Sequence, residues 1–357
     1  MNRPFIFWTL ALLSVSILAQ TSRKYSNEFL NIGVDAGAMG MASAVVASSG
    51  DVHSGYWNPA GLLSLEDQQM GLMHASYFAN IANYDYAAFA MPLDQDRAVG
   101  ISLIRFGVDN ILNTTQLIDS QGNINYDNIT LFSAADYALT FSFAKRLQLS
   151  GLEIGGNAKV IRRIIGDFAS SWGFGFDIGM QYKIRDTWQF GLMLRDVTTT
   201  FNTWQVNQEA FSTISGAVFG QNQEAPETTE LTLPKAQLGV ARLWEFRSDM
   251  SLRAELDLNM RFTQTNDIIA TQGFSMTPAL GLEFGYLDLV YARLGAGNLQ
   301  NGVDIFGDTT TAFQPNLGLG FKYKGIKVDY ALTDIGDQST ALYSNIFSLT
   351  LDWSYFR

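Results

Sequence analysis

Few side chains in this 357-residue sequence are equipped for covalent or metal chemistry, and their surroundings limit what they can do. The only histidines are His53 and His74, and there is no cysteine. A zinc centre needs imidazoles or thiolates with helper carboxylates at known spacing, and a nucleophilic triad needs a histidine oriented toward a serine. Neither histidine sits in such a context. His53 reads as a hydrogen-bonded packing residue, and the chain reads as a non-enzyme with no catalytic residue, metal or cofactor. Asp119, Gln121, Asn123, Asn125 and Asp127 alternate as the oxygen ligands of a calcium loop do. Ile124 stands where that loop requires glycine and Thr130 where it requires glutamate, so a polar loop is expected. Gly173-Phe-Gly175 and Gly318-Leu-Gly320 resemble phosphate loops superficially, but they lie inside alternating runs and do not open a helix.

The densest charged row is Arg253, Glu255, Asp257, Asn259 and Arg261, at every second position of a run whose other members are apolar. Alternation at period two places such residues on one face of a strand. If that face looks into an enclosed space, the charges need partners there, because an unpaired buried charge is costly. They would anchor an internal segment or line a solute path.

The same two-faced pattern recurs along the chain. Trp172, Phe174, Phe176, Ile178, Met180 and Tyr182 alternate with Gly173, Gly175, Asp177, Gly179, Gln181 and Lys183; Phe347, Leu349, Leu351, Trp353 and Tyr355 alternate with Ser348, Thr350, Asp352 and Ser354. About fourteen such segments run from Gln69 onward. Their polar face is rich in Gly, Ser, Thr and Asn, where a soluble sheet would carry Lys and Glu. Tight links, such as Arg185-Asp186 and Lys324-Gly325, alternate with mostly longer ones at Phe106–Ala134, Ile164–Ser170, Val197–Leu233, Thr263–Ser275, Gly297–Phe313 and Asp334–Asn345. Together these features predict an all-β fold: a transmembrane antiparallel barrel of about fourteen strands over residues 69–357, wrapped in outer-membrane lipid. Its long loops would be extracellular and both barrel ends periplasmic.

Composition agrees. Charged residues are 16% of the chain, aromatics are 13% and the net charge is −11, which suits a hydrocarbon-facing exterior and excludes a nucleic-acid partner. Residues 1–19 join Arg3 to an apolar run from Phe5 to Leu18 and predict a secretory signal peptide. Residues 20–68 do not alternate. They pack small residues before Asp51-Val-His-Ser-Gly-Tyr-Trp-Asn-Pro-Ala-Gly-Leu and predict a compact plug in the lumen.

The string Asn31–Leu62, with Asp35, Gly37, Gly40, Met41 and Tyr56-Trp57-Asn58-Pro59-Ala60-Gly61, resembles the amino-terminal signature of the PorV/PorQ family of Bacteroidetes outer-membrane proteins. That family is itself similar to FadL long-chain fatty-acid transporters, which share an Asn-Pro-Ala hatch motif. The resemblance implies a component of type IX secretion whose partners are translocon or attachment-complex proteins and secreted proteins with carboxy-terminal sorting domains. The longest loop carries Phe201, Trp204, Phe211 and Phe219, aromatics that would bind such a partner if exposed. The alternative is FadL-like passage of a hydrophobic small molecule, which requires a continuous apolar path past the plug.

Overall fold

The computed structural model describes residues 26–357 except 79, 119–120, 150, 186, 208–228, 247–248, 304–308, 334–343 and 357. The signal-peptide expectation therefore lies outside the described residues, as do Phe211 and Phe219. Each alternating run forms a strand. In chain order these are β1 (Gln69–Tyr77), β2 (Ala82–Pro92), β3 (Arg97–Asn113), β4 (Thr130–Arg146), β5 (Leu152–Ile165), β6 (Ala169–Ile184), β7 (Trp188–Arg195), β8 (Thr200–Val206), β9 (Thr229–Thr232), β10 (Lys235–Phe246), β11 (Met250–Arg261), β12 (Ile269–Thr271), β13 (Phe274–Tyr286), β14 (Val290–Val303), β15 (Thr309–Tyr323), β16 (Ile326–Thr333) and β17 (Ser344–Asp352).

Antiparallel neighbours run from β1 to β7, cross to β10 and β11, continue from β13 to β17 and return to β1. Fourteen strands thus form a closed barrel, which leaves no unpaired sheet edge in the lipid. The short strands β8, β9 and β12 extend the wall at one rim.

Burial is the reverse of that in a soluble protein. Trp172, Phe174, Phe176 and Ile178 on β6 are exposed, whereas Asp177 and Gln181 on its other face are buried. Register sets the limit of the apolar band. Val328, Leu349, Leu72, Ala87, Leu103, Leu139, Val160 and Phe174 lie directly opposite one another across eight strands. The next outward row is Tyr330, Phe347, His74, Asp85, Arg105, Tyr137, Arg162 and Trp172, where rings mix with charges as they do at a membrane boundary. His74 belongs to this row, its Nδ1 2.7 Å from Asp85 Oδ1.

Several boundaries differ from the sequence expectation. The pairing of β3 with β4 and of β14 with β15 continues into stretches read as loops, and Ile164–Ser170 is mostly strand, closed by a turn in which Gly166 has φ 48°. Part of Val197–Leu233 is strand as well, at β8 and β9. Alternation is demanded only where lipid touches the wall, while backbone pairing continues into water without that signal. The last strand ends at Asp352, not at Tyr355. The Asp352 carboxylate accepts from Ser354 N at 3.0 Å and Ser354 Oγ at 2.6 Å, which turns Trp353–Tyr355 into a 3₁₀ turn.

The band makes a depth-dependent prediction. Phe176→Arg, in the middle of β6, should destabilise the barrel by about 2–4 kcal/mol in denaturant unfolding from lipid vesicles, whereas Tyr126→Arg, clear of the band, should change it by less than about 0.5 kcal/mol.

Candidate functional site

Most of residues 26–67 are buried, and several of them hydrogen-bond to inward-facing groups of the wall strands. Two short helices, α1 (Ala36–Gly40) and α2 (Ser54–Trp57), and a 3₁₀ turn at Pro59–Ser64 are joined by tight backbone links. Asp35 starts α1 with φ 69°, which is uncommon for a residue with a side chain, and its carboxylate fixes it in place. Oδ2 accepts from Ala38 N at 3.0 Å and Oδ1 accepts from Ser348 Oγ at 2.8 Å, while Ala36 N donates to Ser348 Oγ at 3.1 Å. Gly37 follows beside the Arg293 guanidinium, and Gly40 lies against the wall, where a Cβ would come within 2.8 Å of Gly318 Cα. Trp57 Nε1 donates to Val34 O at 3.0 Å.

Asn58 ties this segment to itself and to the wall. Its Nδ2 donates to Val46 O at 2.9 Å and to Met180 O at 3.0 Å, and its Oδ1 accepts from Ala60 N at 3.3 Å, capping the turn that Pro59 begins. Gly61 follows where a Cβ would meet Ser49 O at 2.2 Å. Three strands further round the wall, on β11, Asp257 Oδ2 accepts from Val45 N at 3.0 Å and Val46 N at 3.1 Å, and Glu255 Oε1 accepts from Ala47 N at 2.6 Å. Three consecutive amides thus meet two carboxylates of the charged row. The outer members of the row pair within the wall, Arg253 with Glu283 at 3.0 Å and Arg261 with Asp267 at 3.2 Å.

Asp35, Asp51 and His53 converge, their ligand atoms within 4.8 Å of one another. Such a trio could hold a cation, but Arg253, Arg293 and Lys327 line the same 230 Å³ cavity and already supply positive charge. His53 differs from its expected role. Its Nδ1 lies 3.3 Å from Asp51 Oδ1 without hydrogen-bond geometry, and Nε2 has no hydrogen-bond partner among the described residues. Burial opposes charge on His53, but Asp35 and Asp51 outweigh it and raise its pKa. Burial likewise opposes charge on Asp35 and Asp51, yet His53, followed by Lys327, holds both carboxyls below the ordinary range.

The two barrel ends differ. At the tight-turn end a 660 Å³ vestibule is lined by charged groups including Arg253, Glu283, Arg293 and Lys327. At the long-loop end a 460 Å³ cavity is lined by apolar side chains such as Leu30, Ile32 and Met260 together with polar ones such as Asn259, Gln314 and Asn316, and Trp57 borders both it and the Asp35–His53 cavity. Phe201 is exposed on β8, and Trp204, on the same strand, lies under the Arg163 guanidinium at 5.1 Å. The sequence reading missed a second group on the β3–β4 hairpin: Leu112, Ile118, Ile124, Tyr126 and Leu131, all exposed and Tyr126 by 71%. Their signal lay in the same stretch as the calcium-like spacing. There Asn125 Oδ1 accepts from Asp127 N at 3.0 Å, and Asp119 lies outside the described residues.

Residues 19–215 match the family described as type IX secretion system protein PorV. No curated protein matches the chain. Among solved structures it is similar to the toluene transporter TodX of P. putida, with TM-score 0.54 and 11% identity over 90% of this chain and 98% of that one. It is also similar to the toluene transporter TbuX of Ralstonia pickettii, with TM-score 0.50, 11% identity and the same 90% and 98% coverage. A Pseudomonas aeruginosa FadL homologue gives TM-score 0.50 and 12% identity, again over 90% and 98%. At such identities the likeness is one of fold.

Two outcomes follow from the interior. Asp257→Ala strands two buried amides and should lower stability by about 2–4 kcal/mol in denaturant unfolding. The His53 contribution is fully present below its ordinary pKa of about 6.5 and is lost as pH rises through its elevated folded value; the Asp35 and Asp51 contributions are present above about pH 3.8 and are lost as pH falls through their depressed values. The thermal midpoint should therefore be highest between about pH 4 and 6.5, and His53→Gln should remove the alkaline decline and weaken the acid one, because His53 is the leading group that depresses both carboxyls.

Proposed function

The chain belongs to the family of type IX secretion system protein PorV, a family of outer-membrane barrels, and from that premise we propose that its long-loop rim docks exported proteins or the translocon. The observation that carries this reading is the apolar cluster on the β3–β4 hairpin. Leu112 lies seven residues beyond Arg105 of the boundary row, roughly 20 Å along the strand, so its side chain stands beyond the lipid band. Exposed apolar side chains in water are what a protein partner covers. Phe201 and Trp204 extend the same rim, which is the extracellular one in this reading, and residues 20–68 act as a plug. Exported proteins with carboxy-terminal sorting domains and attachment-complex proteins are the partners this role requires.

Transport of a hydrophobic solute would need an apolar path through the barrel. The vestibule beyond Trp57 is charged, which weighs toward docking. In affinity purification from native membranes in mild detergent, the chain should co-purify with a large partner barrel or with exported proteins. Replacing Ile118, Ile124 and Tyr126 by Ser should abolish that recovery while the barrel still folds. Recovery of the barrel alone from the unaltered protein, or undiminished partner recovery by the triple variant, would rule out docking through this hairpin.

A further inference from the structure

The outward row of β10 is Leu238, Val240, Arg242, Trp244 and Phe246. Leu238, Val240 and Phe246 are exposed, while on the other face Ala241 is buried and Leu243 and Glu245 line the vestibule, so Arg242 points out of the barrel. A cation in an apolar, lipid-facing row is costly unless its charge is met. Register places Arg242 opposite Trp188, the first residue of β7, and Leu243 N donates at 2.9 Å to Thr187 O in the turn that precedes it. Trp244 and Phe246 continue past that turn, paired only with β11. The guanidinium therefore stands in a step between two hairpins, at the tight-turn limit of the apolar band. Its central carbon lies 4.9 Å from the centroid of the Trp188 ring and 4.8 Å from that of Trp244.

Indole rings hold a guanidinium through its charge and its flat surface and leave the N–H groups in its plane to donate elsewhere. Among the described residues none of these donors on Arg242 has an acceptor, and no carboxylate pairs with it. Other outward arginines are met within the wall: Arg97 pairs with Asp94, and Arg105 with Asp109 at 2.9 Å. A partner for Arg242 must come from the bilayer, where the group of matching charge at the boundary is a lipid phosphate. We propose that Arg242, held between Trp188 and Trp244, binds the phosphate of an anionic phospholipid in the leaflet on the tight-turn side, with the acyl chains along Phe190, Val240 and Leu238. A guanidinium fork suits phosphate oxygens through charge-assisted hydrogen bonds. With no carboxylate beside it to attract a cationic headgroup, the site favours a net anionic lipid over a zwitterionic one. It lies on the outer wall and does not depend on docking at the β3–β4 hairpin.

The test places the full chain in nanodiscs made of equal parts dioleoylphosphatidylglycerol and dioleoylphosphatidylcholine, and native mass spectrometry counts the lipids retained as detergent displaces the bilayer. Phosphatidylglycerol should be retained about 10-fold more tightly than phosphatidylcholine, the difference expected from one charge-assisted contact. Arg242→Gln should lower that preference about 10-fold, to near parity. Lys145→Gln removes an exposed, outward cation of β4 that no aromatic ring flanks among the described residues, and should leave the preference within about 2-fold. Equal retention of the two lipids by the unaltered protein overturns the proposal, and that comparison decides the matter if a variant fails to form a barrel. A preference unchanged in folded Arg242→Gln also overturns it, as does one that falls equally far in Lys145→Gln, the mark of attraction to the wall at large.

Discussion

The structure depends on one constraint: a closed wall that turns apolar side chains to lipid must turn its other face inward, and every polar group on that face needs a partner there. Asp257 and Glu255 are buried in the wall, and the amides of Val45, Val46 and Ala47 are what they bind. Without residues 26–67, these carboxylates would be left without those donors in a low-dielectric space. Without the wall, the segment would expose amides and turns that form few backbone bonds of their own. Each half therefore satisfies the polar groups of the other, and the small inward residues exist because main chain passes so close to the strands.

This mutual satisfaction also divides the interior. Asn58 and Asp35 hold the segment to the wall, leaving a recess of mixed apolar and polar lining at the long-loop end and a charged vestibule at the tight-turn end. A hydrophobic solute moving between them would have to enter the charged vestibule. An exposed rim, a recess open to the same side and a segment tied to the wall from several directions suit recognition at one surface better than passage between two.

The wall was legible in the sequence because lipid enforces alternation residue by residue: Trp172 to Lys183 could be read as a two-faced strand with no other information. The inward row Arg253 to Arg261 was legible as a row for the same reason, but its contacts were not, since the amides it meets lie about two hundred positions earlier in the chain. The Asn58-Pro59-Ala60-Gly61 string marked a turn through its proline and glycine, whereas its bond to Met180 O depends on where the wall passes. Strand ends were misjudged where β3, β14 and β15 leave the lipid, because pairing there requires no side-chain pattern. The apolar residues of the first long loop were passed over because the surrounding Asn and Asp made it read as solvated.

The central claim is that residues 26–67 are a fixed part of the barrel interior, held through their main-chain amides. Hydrogen exchange measured on the full chain in outer-membrane vesicles tests it most directly. The account predicts that the amides of Ala36, Ala38 and Val45–Ala47 exchange as slowly as those of the wall strands and that Asp257→Ala selectively accelerates Val45 and Val46. Rapid exchange of these amides in the unaltered protein, at the rate of the exposed loops, would contradict it.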